Sequence, residues 1–236
     1  MKNLISKVQC ALDTYDMIEE HDNIAVCVSG GKDSIFMLYA LNKIKNYYPK
    51  KFQLKALIVN PNFNPSPDQY SEIVNFCVEN KIEYHIEEHP IFEIVFNIRK
   101  EKNPCSLCSK LRRGVLDNCA IDLNCNKIAL GHHFDDLVET FFMNLFNNGK
   151  IDSFKPVTFL SRKKLYAIRP IVLCSEKEIA NFVKSNCLPI IKSNCIADKT
   201  TQRQKVKEII SNLEINYPDL KNKIFTALKK YNPNVW

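Results

Sequence analysis

Short apolar runs recur along this chain, each followed by a stretch of helical period, and no other feature narrows the fold as far. Ile24–Val28, Leu54–Val59, Glu83–Glu87, Lys127–Leu130 and Tyr166–Ile168 read as strands of a buried sheet. Helical spacing runs over Asn3–His21, Ile35–Lys45, Asp68–Asn80, Ile91–Arg99, Ser109–Leu123, Asp135–Asn147, Ser175–Ser185, Thr201–Leu213 and Asp219–Lys230. Strands that alternate with helices of this length predict an α/β fold, a doubly wound parallel sheet covered on both faces. The boundaries read as an N-terminal helix over 1–22, a nucleotide-type domain over 23–190, and a cysteine loop with a basic helical tail over 191–236.

A hydrophobic fraction of 45% and a charged fraction of 25% permit a sizeable core and exclude a disordered chain. No apolar run approaches the roughly 20 residues of a membrane span. Met1–Glu20 lacks a signal-type apolar stretch and carries Asp13, Asp16, Glu19 and Glu20, which predicts a cytoplasmic protein. In a reducing cytosol the ten cysteines are not expected to pair as disulfides. Cys10, Cys27, Cys77, Cys119, Cys125, Cys174 and Cys187 stand singly and read as small buried hydrophobes.

The charge is segregated. The windows Asn97–Leu116, Lys150–Pro170 and Lys199–Trp236 each carry +5; a net charge of +7 then leaves −8 for the remainder. A positive face of that kind suits a polyanion such as RNA, although solvated lysines alone would also produce it.

Ser29-Gly30-Gly31-Lys32-Asp33-Ser34 lies between a strand and a helix. Adjacent glycines let backbone N–H groups approach an anion, and the helix that follows aims its N-terminal donors at the same point. Ser29 and Ser34 add hydroxyls, Lys32 a cation, and Asp33 can hold Mg2+. The spacing matches neither a Walker A loop nor a dinucleotide fingerprint. The hexapeptide resembles the PP-loop of the N-type ATP pyrophosphatases, which cleave ATP between the α- and β-phosphates to adenylate a carbonyl oxygen. That resemblance implies an ATP site at the carboxyl ends of the strands, with Val59 and Asn60 beside the adenine ring, in keeping with the rule for open α/β sheets.

Gly131-His132-His133-Phe134-Asp135-Asp136 ends the fourth strand. Gly131 lets the backbone close on a nucleotide, His132 and His133 could contact phosphate, and Asp135 could bind Mg2+ or act as a base. One of the two aspartates could instead cap the following helix. Cys105-Ser-Leu-Cys108 stands in a turn ahead of a helix carrying Lys110, Arg112 and Arg113. A helix N-terminus and neighbouring cations lower a thiol pKa. Two thiolates at this spacing hold a metal or form a redox pair, and no second Cys-x-x-Cys completes a zinc site. Cys195 is the further cysteine that would bring the set to three, leaving one iron of a cubane open.

Together these motifs resemble the tRNA 2-thiocytidine synthetases, the TtcA-type branch of the PP-loop sulfur transferases. The resemblance runs from Ile24 to Pro233 and is most specific over Cys105–Leu116 and Lys127–His133. It implies ATP-dependent 2-thiolation of an anticodon-loop cytidine. It also implies a [4Fe–4S] cluster on Cys105, Cys108 and Cys195, with Cys187 as the alternative third ligand. Asp33, Asp135, Cys105 and Cys108 would be catalytic, and Lys110, Arg112, Arg113 and Arg203 would hold tRNA. A sulfur donor such as a cysteine desulfurase or free sulfide is implied, as is homodimer formation. The chain departs from the branch at Phe134, where arginine is expected, in the loop Lys150–Pro156, and at Lys192 and Ser193, where Pro-Cys is expected. Thiouridine synthesis, base desulfuration, lysidine synthesis and a non-catalytic regulator remain open alternatives.

Overall fold

Alternation within the strands decides which layer each side chain joins. A computed structural model describes residues 2–62, 68–100, 104–191, 202–233 and 235. Strand β1 is Asp22–Val28, β2 Phe52–Asn60, β3 Glu83–Glu88, β4 Lys127–Ala129, β5 Val157–Leu160 and β6 Leu165–Ile168. They form one sheet in the order β3-β2-β1-β4-β6-β5. Neighbours are parallel throughout except β5, which pairs antiparallel with β6.

Ile24, Val26 and Val28 of β1, with Leu54, Ala56 and Ile58 of β2, point into the larger core. There they meet α1 (Lys2–Thr14), α2 (Lys32–Lys45), α3 (Ser71–Glu79), α5 (Phe134–Asn148) and α6 (Glu176–Ser185). Helices α7 (Gln202–Asn216) and α8 (Leu220–Tyr231) pack outside, against α5. Ala25, Cys27, Leu57, Val59, Ile128 and Leu130 point the other way, toward α4 (Pro104–Asp122) and the short segment Glu93–Ile98.

The sheet order reverses between β1 and β4, so the Ser29–Ser34 loop and the Gly131–Asp136 stretch emerge side by side at the switch point. Elsewhere the structure departs from the sequence reading. The first helix stops at Thr14 because Asp16 takes a left-handed conformation, φ 43°. Asp68 receives Ser71 N–H (3.1 Å) and Oγ (2.9 Å) on its backbone carbonyl, so its side chain caps nothing there. The helix expected over Ile91–Arg99 is six residues of π-helix, Glu93–Ile98, beside stacked Phe92 and Phe96 rings. Cys105 and Cys108 lie within the first turns of α4, not in a turn before it. The edge strand β5 went unseen because four residues at a sheet edge carry little pattern.

Candidate active site

The loop after β1 is tightly cross-braced. Ser34 Oγ donates to Gly31 O (2.9 Å), accepts from Ser29 N (3.2 Å) and lies 3.3 Å from Ser29 Oγ. Gly30 has φ +85°, which demands glycine, and a Cβ there would stand 3.0 Å from Ile191 Cβ. Gly31 has φ −74° and ψ 158°, open to any residue, so of the pair only Gly30 is required by the turn itself. A Cβ on Gly131 would lie 3.3 Å from Ser34 N, and the two loops touch through that glycine.

Lys32 Nζ sits between Asp33 Oδ2 (3.2 Å) and Glu176 Oε1 (3.1 Å). Burial alone would raise the Glu176 carboxyl, but hydrogen bonds and charge from Lys207 and Lys32 outweigh it and hold the pKa at about 2. Burial raises Asp33 above the ordinary carboxylate range, partly offset by Lys32 and His133. Its Oδ1 is buried, accepts no hydrogen bond among the described residues, and lies 3.9 Å from His133 Nε2. An orphaned carboxylate oxygen facing the phosphate loop is what a hard divalent cation would complete.

His133 is the N-cap of α5, ruling out that role for either aspartate. Its Nδ1 accepts from Asp136 N (3.3 Å), while Asp136 Oδ2 accepts from His133 N (3.0 Å), a reciprocal capping box. Nε2 then faces Asp136 Oδ2 at 3.5 Å and Asp33 Oδ1 at 3.9 Å. Asp135 has both oxygens occupied, by Glu176 N–H (2.7 Å) and Lys221 Nζ (2.9 Å). Asp136 is paired as well, through His133 N and Arg203, and of the two aspartates it is the one whose charge bears on Asp33. Val59 and Asn60 are buried at the end of β2, next to the loop. Asn60 Oδ1 there receives Asn62 N–H (3.1 Å).

The cysteines lie on the α4 face of the sheet. A cavity of about 290 Å³ is lined by Cys105, Cys108, Arg112, Arg113, Leu130 and His132. His132 thus belongs both to the β4 stretch and to the cysteine cavity. Burial and the nearby Arg169 guanidinium drop its pKa to about 4, which favours the neutral imidazole facing the cavity. Phe154 lies between His132 (5.0 Å) and the Arg169 guanidinium (5.0 Å). Arg113 is tied to Asp117 (2.8 Å), whereas the buried Nε of Arg112 has no hydrogen-bond partner among the described residues. Lys110 is exposed on the same helix. Cys195 lies outside the described residues. Ile191, four positions earlier, donates its N–H to Gly30 O (2.9 Å). Cys187, the alternative, is exposed in the turn after α6.

The PP-loop domain family matches residues 2–213. The chain is 38% identical over 236 residues to the tRNA-cytidine(32) 2-sulfurtransferase of Dichelobacter nodosus, covering 99% of this chain and 86% of that protein. It is 37% identical over 235 residues to the protein of that name from Cellvibrio japonicus, covering 99% and 77%. The chain belongs to the PP-loop tRNA-cytidine(32) 2-sulfurtransferase family. Among solved structures it resembles the U34-tRNA thiolase NcsA from Methanococcus maripaludis with its [4Fe-4S] cluster. The TM-score is 0.82 at 28% identity, covering all of this chain and 80% of that one.

In this PP-loop enzyme much of the tail's positive charge is turned inward. Arg203 pairs with Asp136 and lies 3.6 Å from Glu139; Lys207 pairs with Glu176; Lys221 bridges Asp135 and Glu214. Arg203, half-exposed, is thus tied to the α5 carboxylates behind the β4 stretch. Phe134 packs edge-on against Phe225 of α8 at 5.5 Å and so docks the tail. Glu139, buried beside Asp136, has its pKa raised to about 7, chiefly by burial. Glu176, Glu139 and Lys221 escaped the sequence reading because their partners are distant in the chain.

Proposed function

We propose that this chain transfers sulfur to C2 of cytidine 32 of tRNA, the reaction named for its relatives, using ATP to activate the base oxygen. The observation that supports it best is the shared cavity: Cys105 and Cys108 face His132, which follows the glycine that touches the phosphate loop. Backbone N–H groups of residues 30–34 and the hydroxyls of Ser29 and Ser34 would bind the pyrophosphate of ATP. Lys32 would exchange a carboxylate for a phosphate oxygen, leaving Glu176 to Lys207. Asp33 Oδ1, with His133 Nε2 nearby, would take the Mg2+ that shields the phosphates as the base oxygen attacks the α-phosphate. Asp136, through the capping box, would hold the His133 ring beside Asp33.

Cys105, Cys108 and Cys195 fit a [4Fe–4S] cluster as a donor set of three thiolates, and when bound the cluster supplies the sulfur that replaces the activated oxygen. Arg112, which lines the cavity, and Lys110, exposed on the same helix, would meet the RNA backbone. The target base must leave its stack to reach the cavity. The test is mass spectrometry of nucleosides from tRNA incubated with the anaerobically reconstituted protein, ATP, Mg2+ and sulfide. A cytidine with one oxygen exchanged for sulfur is expected at position 32, together with AMP and pyrophosphate. An unmodified cytidine 32, or thiolation without ATP, would overturn the reading.

A further inference from the structure

The sheet face under α4 is apolar at its centre and changes character at its edge. Leu57 and Val59 of β2 point into the α4 core. Their parallel partners on β3 are His85 and Glu87. Partners in register share a face, so the positions that should continue the apolar layer carry an imidazole and a carboxylate. His89 follows with the same two-residue spacing. Facing them on the inner side of α4 are Cys119 and Asp122, one helical turn apart.

These side chains surround a cavity of about 370 Å³ lined by His85, Glu87, His89, Asn118, Cys119 and Asp122. His85 Nε2 is 3.1 Å from Glu87 Oε2, and the His85, Glu87 and Cys119 donors lie within 4.8 Å of one another. His89 Nδ1 is buried and has no hydrogen-bond partner among the described residues. A tetrahedral zinc holds nitrogen and sulfur donors about 3.3–3.8 Å apart, so closure asks only modest side-chain rotation.

We propose that His85, Glu87 and Cys119 form a binding site for a zinc-class divalent ion, with His89 or water as the fourth ligand. One nitrogen, one carboxylate and one thiolate are the mixed donor set that borderline-soft dications favour, and the two negative charges balance the ion. Burial pushes the Cys119 thiol up to about 11, with Glu87 and Asp122 adding to the rise. Cys119 lies eleven residues after Cys108, about 16 Å along the helix axis, so this is not the cysteine pair of the active site. An ion here would pin α4 to the edge strand and fix the helix whose first turns carry Cys105 and Cys108.

The test uses the full chain with Cys105→Ser, Cys108→Ser and Cys195→Ser, purified without metal and titrated anaerobically with Co2+. One equivalent should bind with a near-ultraviolet thiolate-to-cobalt band that Zn2+ abolishes, and added Cys119→Ser should remove the band. His85→Ala, at a half-buried edge position, should keep the fold by circular dichroism and weaken Co2+ by about tenfold or more. If Cys119→Ser does not fold, His85→Ala and Glu87→Gln decide. No thiolate band, a band that survives Cys119→Ser, or unchanged affinity in His85→Ala would overturn the proposal.

Discussion

The nucleotide half and the cysteine half of the candidate site are built on opposite plans. Around Ser29–Ser34 most charged groups already have partners: Lys32 lies between Asp33 and Glu176, and Asp136 is held by His133 and Arg203. Around Cys105 and Cys108 the groups face an open cavity, and the buried Arg112 Nε has no partner among the described residues. A phosphate cradle works by preorganisation, because donors fixed before ATP arrives need no rearrangement as charge develops. A cavity that is to take a cluster and a base, as proposed above, would have to stay open until they arrive. The difference teaches that substitutions in the first half should act on chemistry, and those in the second on what is carried and admitted.

The sharpest way to break that comparison is to cripple each half separately. Asp33→Ala should cut release of AMP and pyrophosphate by at least about a hundredfold while iron loading of the reconstituted protein stays at the wild-type level. Cys108→Ser should do the converse. It should abolish the visible absorbance of the reconstituted cluster and the thiolated product, yet leave ATP binding by calorimetry within about twofold. If either variant loses both properties while folded, the halves are not separable.

Two smaller effects test which cations face inward. Arg203→Ala leaves Glu139 and Asp136 short of a partner at a half-exposed site. It should destabilise the fold by about 1–2 kcal/mol, read as a lower Tm, with the salt dependence of tRNA binding unchanged. Arg112→Ala should leave Tm alone and reduce the slope of log affinity against log salt by about one. Reversed outcomes would make Arg203 the RNA contact and Arg112 the brace.

The last effect is a pH dependence. The folded-state pKa of Glu139 is raised to about 7 from an ordinary 4.5. The folded protein therefore binds that proton more tightly than the unfolded chain, and stability is lost as pH rises from 4.5 through 7. Glu139→Gln should remove that loss, narrowing the difference in Tm between pH 5.5 and pH 8. An unchanged difference would show that Arg203 neutralises the carboxylate fully.

Most of the sheet and both nucleotide stretches were legible because their signals are local: apolar runs of strand length, a paired glycine, a helix start. The same locality could not tell Asp135 from Asp136. Adjacent aspartates at a helix start look equivalent in a sequence, and only the packing of α6 and α8 shows that one serves Glu176 N–H and Lys221. Cys119 was read as a buried hydrophobe, which its 7% exposure supports, but the facing His85 and Glu87 give it a second character. The clue available beforehand was His85, Glu87 and His89 at alternate positions of an expected strand, a face with the wrong polarity for a core.

The chain's own order of residues determined the α/β class, the phosphate loop and the cysteine pair, since each depends on near neighbours and on steric rules that act within a few bonds. Tertiary structure alone decided which aspartate's charge bears on Asp33, that the basic tail braces the site from behind, and that the cysteine cavity opens onto His132. Those outcomes depend on side chains brought together from β3, α4, α6, α7 and α8. Coulombic and hydrogen-bonding forces act across space, and pairing at such separations is set by how the layers close.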